Sequence, residues 1–175
     1  MLAGEEINLN LIIMMISSLL SFGTGWGLSV LRDKQRKKQT VTQSIKSMIV
    51  ELEYILLILE DIKEPLITID KANANSINFN FSYQIMPIAS YESMLYSGVL
   101  KEIDVQTQLY IIRFYEEAKF FDKIRYRIVE LSTITSQSVS PNYINNLELY
   151  SKSASKTLKD LKESLNELLD ILKPK

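Results

Sequence analysis

The chain has 175 residues, with 20 Lys and Arg against 21 Asp and Glu, and a formal net charge of −1. That balance excludes a broadly basic nucleic-acid binder. It contains no cysteine and no histidine. Disulfides and thiol chemistry are therefore excluded, and the commonest general base, metal ligand and pH switch are missing.

Residues 1–6 predict a short external tail carrying Glu5 and Glu6. From Ile7 to Leu31 no side chain is charged. As a helix this stretch would be roughly 37 Å long, enough to cross a hydrocarbon core of about 30 Å with some tilt. Few soluble helices are apolar all round over such a length. A signal peptide would open on basic residues and close on a small-residue cleavage site, and this stretch opens on acids. The sequence therefore predicts a transmembrane helix over 7–31. Every Lys and Arg follows Leu31, and Arg32, Lys34, Arg36, Lys37 and Lys38 come at once. Basic residues near a span favour the cytoplasmic side, which predicts the N-terminus outside and the rest inside a cell membrane. These five residues in segment 32–40 would also face anionic lipid heads. Phe22 and Trp26 lie near the inner end, at a depth suited to an interfacial anchor.

Small residues recur along this helix. Ser17, Ser21, Gly25 and Ser29 are spaced by four, and Gly23 with Gly27 forms a GxxxG on another face. Such rows let two backbones approach closely, so they predict self-association through the span and a homo-oligomer. Gly23-Thr24-Gly25-Trp26-Gly27 is not a phosphate loop, because it lacks the required spacing, the Lys and a preceding strand.

Residues 41–175 predict a cytoplasmic helical bundle, and the whole reads as an all-α chain. After Arg32 no helix breaker occurs before Pro65, so the first helix should run on. Val41, Ile45, Met48, Leu52, Ile55, Leu59, Ile62 and Leu66 follow a 4-3 heptad pattern, widened by Ile49 and Leu56. That coiled-coil-like stripe predicts packing along other helices. Residues 67–88 read as an irregular loop rich in Asn and Ser. Within it Ile77, Phe79, Phe81, Tyr83 and Ile85 alternate with polar residues, the mark of a strand. With no partner strand apparent in the chain, the expectation is an extended loop laid on the bundle. The sharper alternative is a strand that pairs with another protein or another copy.

Ser90 is placed to cap a short helix, Tyr91 to Ser97, stopped by Gly98. Asp104 is placed to cap a long helix from Val105 to about Ser136. Its expected buried face is Leu109, Ile112, Tyr115, Ala118, Phe121, Ile124, Ile128 and Leu131. A turn over 136–140 precedes Ser140-Pro141, an N-cap followed by proline at the first helical position. The last helix carries heptads at Ile144, Leu147, Ser151, Ala154, Leu158, Leu161, Leu165, Leu168 and Leu172, and Pro174 closes it. Long helices of matched length and short connections predict an antiparallel bundle of three long helices and one short one.

The sequence singles out no catalytic constellation. Di-iron bundles need Glu-x-x-His pairs, which a chain without histidine lacks. Glu51, Glu53, Glu60, Asp61 and Glu64 read as the wet face of the first helix, and Glu116, Glu117 and Asp122 interleave with Lys119, Lys123, Arg125 and Arg127 as on a solvated helix. No enzyme activity, cofactor, metal or nucleic-acid partner is expected. Aromatics crowd the stretch from Tyr91 to Tyr126, more than one helix face buries. Phe120, Lys123, Arg125, Tyr126 and Arg127 together predict an aromatic and basic surface for a protein partner.

Tyr91, Met94, Leu95, Gly98, Leu100 and Ile103, followed by Leu109 and Tyr115, form a pattern that resembles one in small prokaryotic proteins. In that group a single N-terminal membrane helix precedes a helical cytoplasmic domain, and an aromatic residue opens a short helix that a glycine ends. The resemblance implies the same architecture and no particular activity. Three roles are open at this point: a membrane-tethered module that recruits or regulates a partner, a membrane-perturbing or pore-forming effector, and a small subunit of a larger membrane complex.

Overall fold

The computed structural model describes residues 3–70, 76–81, 84–133 and 141–173. The protein is mostly helical, with helices α1 (Ala3–Asp61), α2 (Ala89–Tyr96), α3 (Val105–Thr133) and α4 (Pro141–Leu172), and strands β1 (Ile67–Asp70) and β2 (Ser76–Phe79). The chain forms two compact units, Met1–Thr42 and Gln43–Lys175.

The first unit consists of the early turns of α1. From Met14 onward its apolar side chains are open to the surroundings, among them Leu19, Leu20, Phe22, Trp26 and Leu31. Their hydroxyl-bearing neighbours are satisfied inside the helix. Ser18 donates to the carbonyl of Met15, Ser21 to that of Ser17 and Thr24 to that of Leu20, at 2.8–2.9 Å. Backbone acceptors one turn back thus hold the polar groups that an apolar medium would not. Among the described residues, one helix is long and apolar enough to cross a membrane, and it lies near the N-terminus.

In the second unit α1 changes character. Met48, Leu52, Ile55, Leu59, Ile62 and Leu66 are buried, as the 4-3 spacing predicts, and Ile58 joins them. Ile45 is half-buried, as is Val41 at the end of the first unit. The α4 stripe is buried from Leu147 to Leu172, with Ile144 half-exposed. Each such leucine contributes about 1.5–3 kcal/mol by leaving water. Helix α3 packs along α4. Glu117 of α3 accepts a hydrogen bond from Ser164 of α4 at 3.4 Å, and ten residues further along α3, Arg127 meets Tyr150.

The buried face of α3 differs from the expected one. Tyr115, Ala118, Phe121, Ile124 and Ile128 are buried, but Leu109 is 58% exposed, and Ile111 and Phe114 are buried in its place. Successive steps of three residues turn through about 300° each, so a chain of such steps walks round the helix and leaves the face it began on. The seam alternates steps of three and four instead: Thr107, Ile111, Phe114, Ala118 and Phe121.

The segment after α1 is also more ordered than expected. Pro65, reached through a cis peptide bond, follows the helix end. The chain then forms a two-stranded antiparallel sheet, with Ile67 opposite Phe79 and Ile69 opposite Ile77. Of the alternating residues, Ile77 and Phe79 therefore have a partner strand within the chain, and the two short strands depart from a purely α architecture. Asn80 closes the base: its N–H donates to the carbonyl of Leu66, its carbonyl accepts from Lys63 and its side-chain amide donates to Pro65 at 2.7 Å. Phe81 packs edge-on to Phe79. Ile85 is exposed rather than laid on the core. Tyr83, the turn over 136–140, the last turn expected for α3, Ser140 and Pro174 lie outside the described residues.

Asp104 caps α3, accepting from the N–H of Thr107 at 2.9 Å, and these backbone donors hold its carboxyl below the usual range. Gly98 ends α2 at φ 74°, a left-handed conformation that glycine adopts without strain.

Candidate functional site

The best-defined polar site in the second unit is centred on Glu51. Its position, three residues after Met48 and four before Ile55, places it beside the apolar stripe, and it is 8% exposed. Its carboxylate accepts from the Ser90 N–H at 2.7 Å, from the Tyr91 N–H at 3.4 Å and from the Tyr115 hydroxyl at 2.7 Å. One side chain therefore joins α1, α2 and α3. The first two bonds satisfy the free N–H groups that open any helix, and the negative charge suits that end of α2. Ser90 does not cap this helix with its side chain. The N-terminal position is taken by Ile88, the Ser90 hydroxyl donates to the carbonyl of Ser47, and Glu51 does the capping from a distant element.

Rings close over this carboxylate. Tyr91 and Tyr115 stack at 4.4 Å with an interplanar angle of 8°, and Phe114 meets Tyr115 edge-on at 5.3 Å. The Lys119 ammonium sits 5.2 Å from the centre of the Tyr91 ring. Burial, and after it the bond to Glu51, drives the Tyr115 hydroxyl well above the ordinary tyrosine range. Burial also raises Tyr91, against the lowering effect of Lys119. Tyr115 thus stays a neutral donor to a carboxylate. This arrangement holds three helices together.

A second polar site ties the chain before α2 to α3. Arg125 donates to the carbonyl of Gln84 at 2.7 Å and pairs with Asp122, whose other oxygen accepts from the Met86 N–H at 2.9 Å. The guanidinium also lies 5.4 Å from the centre of the Phe121 ring. Arg125 is 5% exposed, which corrects its assignment to the aromatic and basic outer surface. Its charge is used inside the domain, by Asp122 one turn back on α3 and by the Gln84 carbonyl, which is distant in sequence. The other members of that surface, Phe120, Lys123, Tyr126 and Arg127, are exposed.

In the first unit Ser17, Ser21, Gly23, Gly25 and Ser29 are exposed and Gly27 is half-exposed. A methyl group added at Gly23, Gly25 or Gly27 would meet nothing within 4 Å. Arg32, Lys34, Arg36, Lys37 and Lys38 are exposed on α1.

Between α3 and α4 runs an open groove of about 680 Å³ whose walls include Arg127, Tyr143, Leu149, Tyr150, Lys152 and Lys156. Among the described residues the buried Tyr143 hydroxyl there has no hydrogen-bond partner. Arg127 is bridged to Glu130 at 2.5 Å. Among the described residues, no group of three or more acidic side chains is arranged to hold a metal ion.

Sequence reasoning missed Glu51 because an acid on a helix is most often wet. Its spacing from Met48 and Ile55 was the available signal. No family model matches this chain, and neither curated proteins nor solved structures yield a similar one.

Proposed function

We propose that this protein is a membrane-tethered helical interaction module, without enzymatic activity, that recruits or regulates a protein partner at the inner face of a cell membrane. In this reading residues 7–31 span the bilayer with the N-terminus outside. Arg32 to Lys38 lie at the inner lipid surface, and α3 and α4 with the end of α1 form an antiparallel bundle. The observation that carries the reading is the contrast along α1. Apolar side chains are open from Met14 to Leu31, basic residues follow at once, and a one-sided buried stripe begins at Met48. Exposed Phe120 and Tyr126 beside Lys123 and Arg127 support a protein contact, since aromatic and basic residues are frequent anchors of interfaces. The test is purification of the intact protein in mild detergent, sized on a calibrated column, with companions identified by mass spectrometry. A companion present in fixed ratio supports recruitment, and its loss on Phe120→Ala with Tyr126→Ala places the contact. A chain that elutes alone in every detergent contradicts recruitment.

The second reading is an effector that assembles through its span. The open space around Gly23, Gly25 and Gly27 favours it, because close helix pairing needs such room. A homo-oligomer without companions that Gly25→Leu dissolves would place this reading first.

A further inference from the structure

We infer that copies of this chain also dock through their folded domains, the groove between α3 and α4 of one copy taking the exposed acidic end of α1 from the next. This rests on the self-association considered above and adds a contact independent of the span.

The acidic face is built by helical spacing. Val50, Glu53, Tyr54, Leu57, Glu60 and Asp61 recur at intervals of three and four, so they share one side of α1. Val50 and Leu57 are more than 60% exposed, and Tyr54, Glu53, Glu60 and Asp61 are exposed as well. From Ser47 through Ile62 there is no Lys or Arg. Apolar residues at this spacing, flanked by acids, are what a helix-binding groove reads.

The groove is its complement. Arg127, Lys152 and Lys156 line it with Leu149 and Tyr150, and no carboxylate does. Within one chain Glu53 pairs with Lys173 at 2.9 Å and Arg127 with Glu130, so among the described residues the charges in no ion pair are Glu60 and Asp61 on the face and Lys152 and Lys156 in the groove. Giving face and receiving groove are different surfaces, so each copy keeps one of each, and the contact propagates into rows or rings. Its charged rim makes it weaken as salt is raised.

The natural chain has no cysteine, so introduced ones report without interference. Full-length Leu57→Cys and full-length Leu149→Cys are purified separately, mixed, reconstituted into lipid vesicles and oxidised. The mixed disulfide dimer should exceed either like-with-like dimer roughly tenfold, as expected for complementary faces. Lys152→Glu with Lys156→Glu in the Leu149→Cys copy should remove it. Glu60→Lys with Asp61→Lys in the Leu57→Cys copy should restore it against that reversed groove, which a merely misfolded variant would not allow. A mixed dimer no more than about twofold over either like dimer, the ratio of random pairing between equal amounts of two faces, or reversal without loss, or loss without restoration, would overturn the contact. If native chains associate in detergent yet give no mixed product, this contact alone fails. If they stay monomeric, the self-association beneath it fails too.

Discussion

Leu20 and Leu52 are both leucines of α1 in opposite surroundings, the first 64% exposed and the second fully buried. Around Leu20 the helix is apolar on every side, and its hydroxyls return their protons to their own backbone. Around Leu52 one side is apolar, and the single buried acid beside it is held by two other helices. One helix therefore carries two kinds of apolar sequence. The first suits a medium without water, and the second suits a protein core. The difference lies less in how much apolar surface there is than in where the polar groups find partners.

Changes at the two places should therefore have separate consequences. The largest effect on folding is expected for Glu51→Leu, which leaves two N–H groups and a hydroxyl without acceptors at about 1–3 kcal/mol each, in all roughly 4 kcal/mol. Thermal melting of the detergent-solubilised protein should show it, with membrane association unchanged. Leu20→Arg should do the reverse. Placing arginine near the middle of the span costs about 3 kcal/mol of insertion, read as protein released by alkaline extraction, while melting of the folded domain stays the same.

Tyr115→Phe should cost about 2 kcal/mol near neutral pH, the typical worth of a hydrogen bond to a charged group. It also changes the response to alkali. The Tyr115 hydroxyl holds its proton more tightly folded than unfolded, where its ordinary value is 10.0. Its contribution is fully present below that value and is lost as pH rises above it. Denaturation midpoints in strong alkali should therefore fall less steeply for Tyr115→Phe than for the native chain. The smallest effect is expected for Gly98→Ala. Its methyl group meets nothing within 4 Å, so only the left-handed backbone at φ 74° resists it, by about 1 kcal/mol.

How much of this was legible in sequence follows the same division. The stripes on α1 and α4 could be read because long helices repeat their pattern many times, and Met48 to Ile62 and Leu147 to Leu172 are buried as spaced. Strand β1 could not, since Leu66-Ile67-Thr68-Ile69 continues the apolar stripe and shows its nature only opposite Phe79 and Ile77. Glu51 and Arg125 look like ordinary surface charges. What buries them is Tyr115 and Ser90 in one case and the Gln84 carbonyl in the other, partners set by the fold, while Asp122 is the neighbour of Arg125 one turn back on α3. Gly98 and Asp104 were legible because cap and stop act within a few residues of themselves.

The claim that α1 crosses a membrane with the domain on the inner side is open to one direct measurement. Single cysteines placed as Ala3→Cys and Lys123→Cys in the otherwise cysteine-free chain are exposed to a membrane-impermeant maleimide, in intact cells and after lysis. The account predicts that position 3 is labelled in intact cells and that position 123 is labelled only after lysis. Labelling of position 123 in intact cells, or release of the unmodified protein by alkaline extraction, would contradict it.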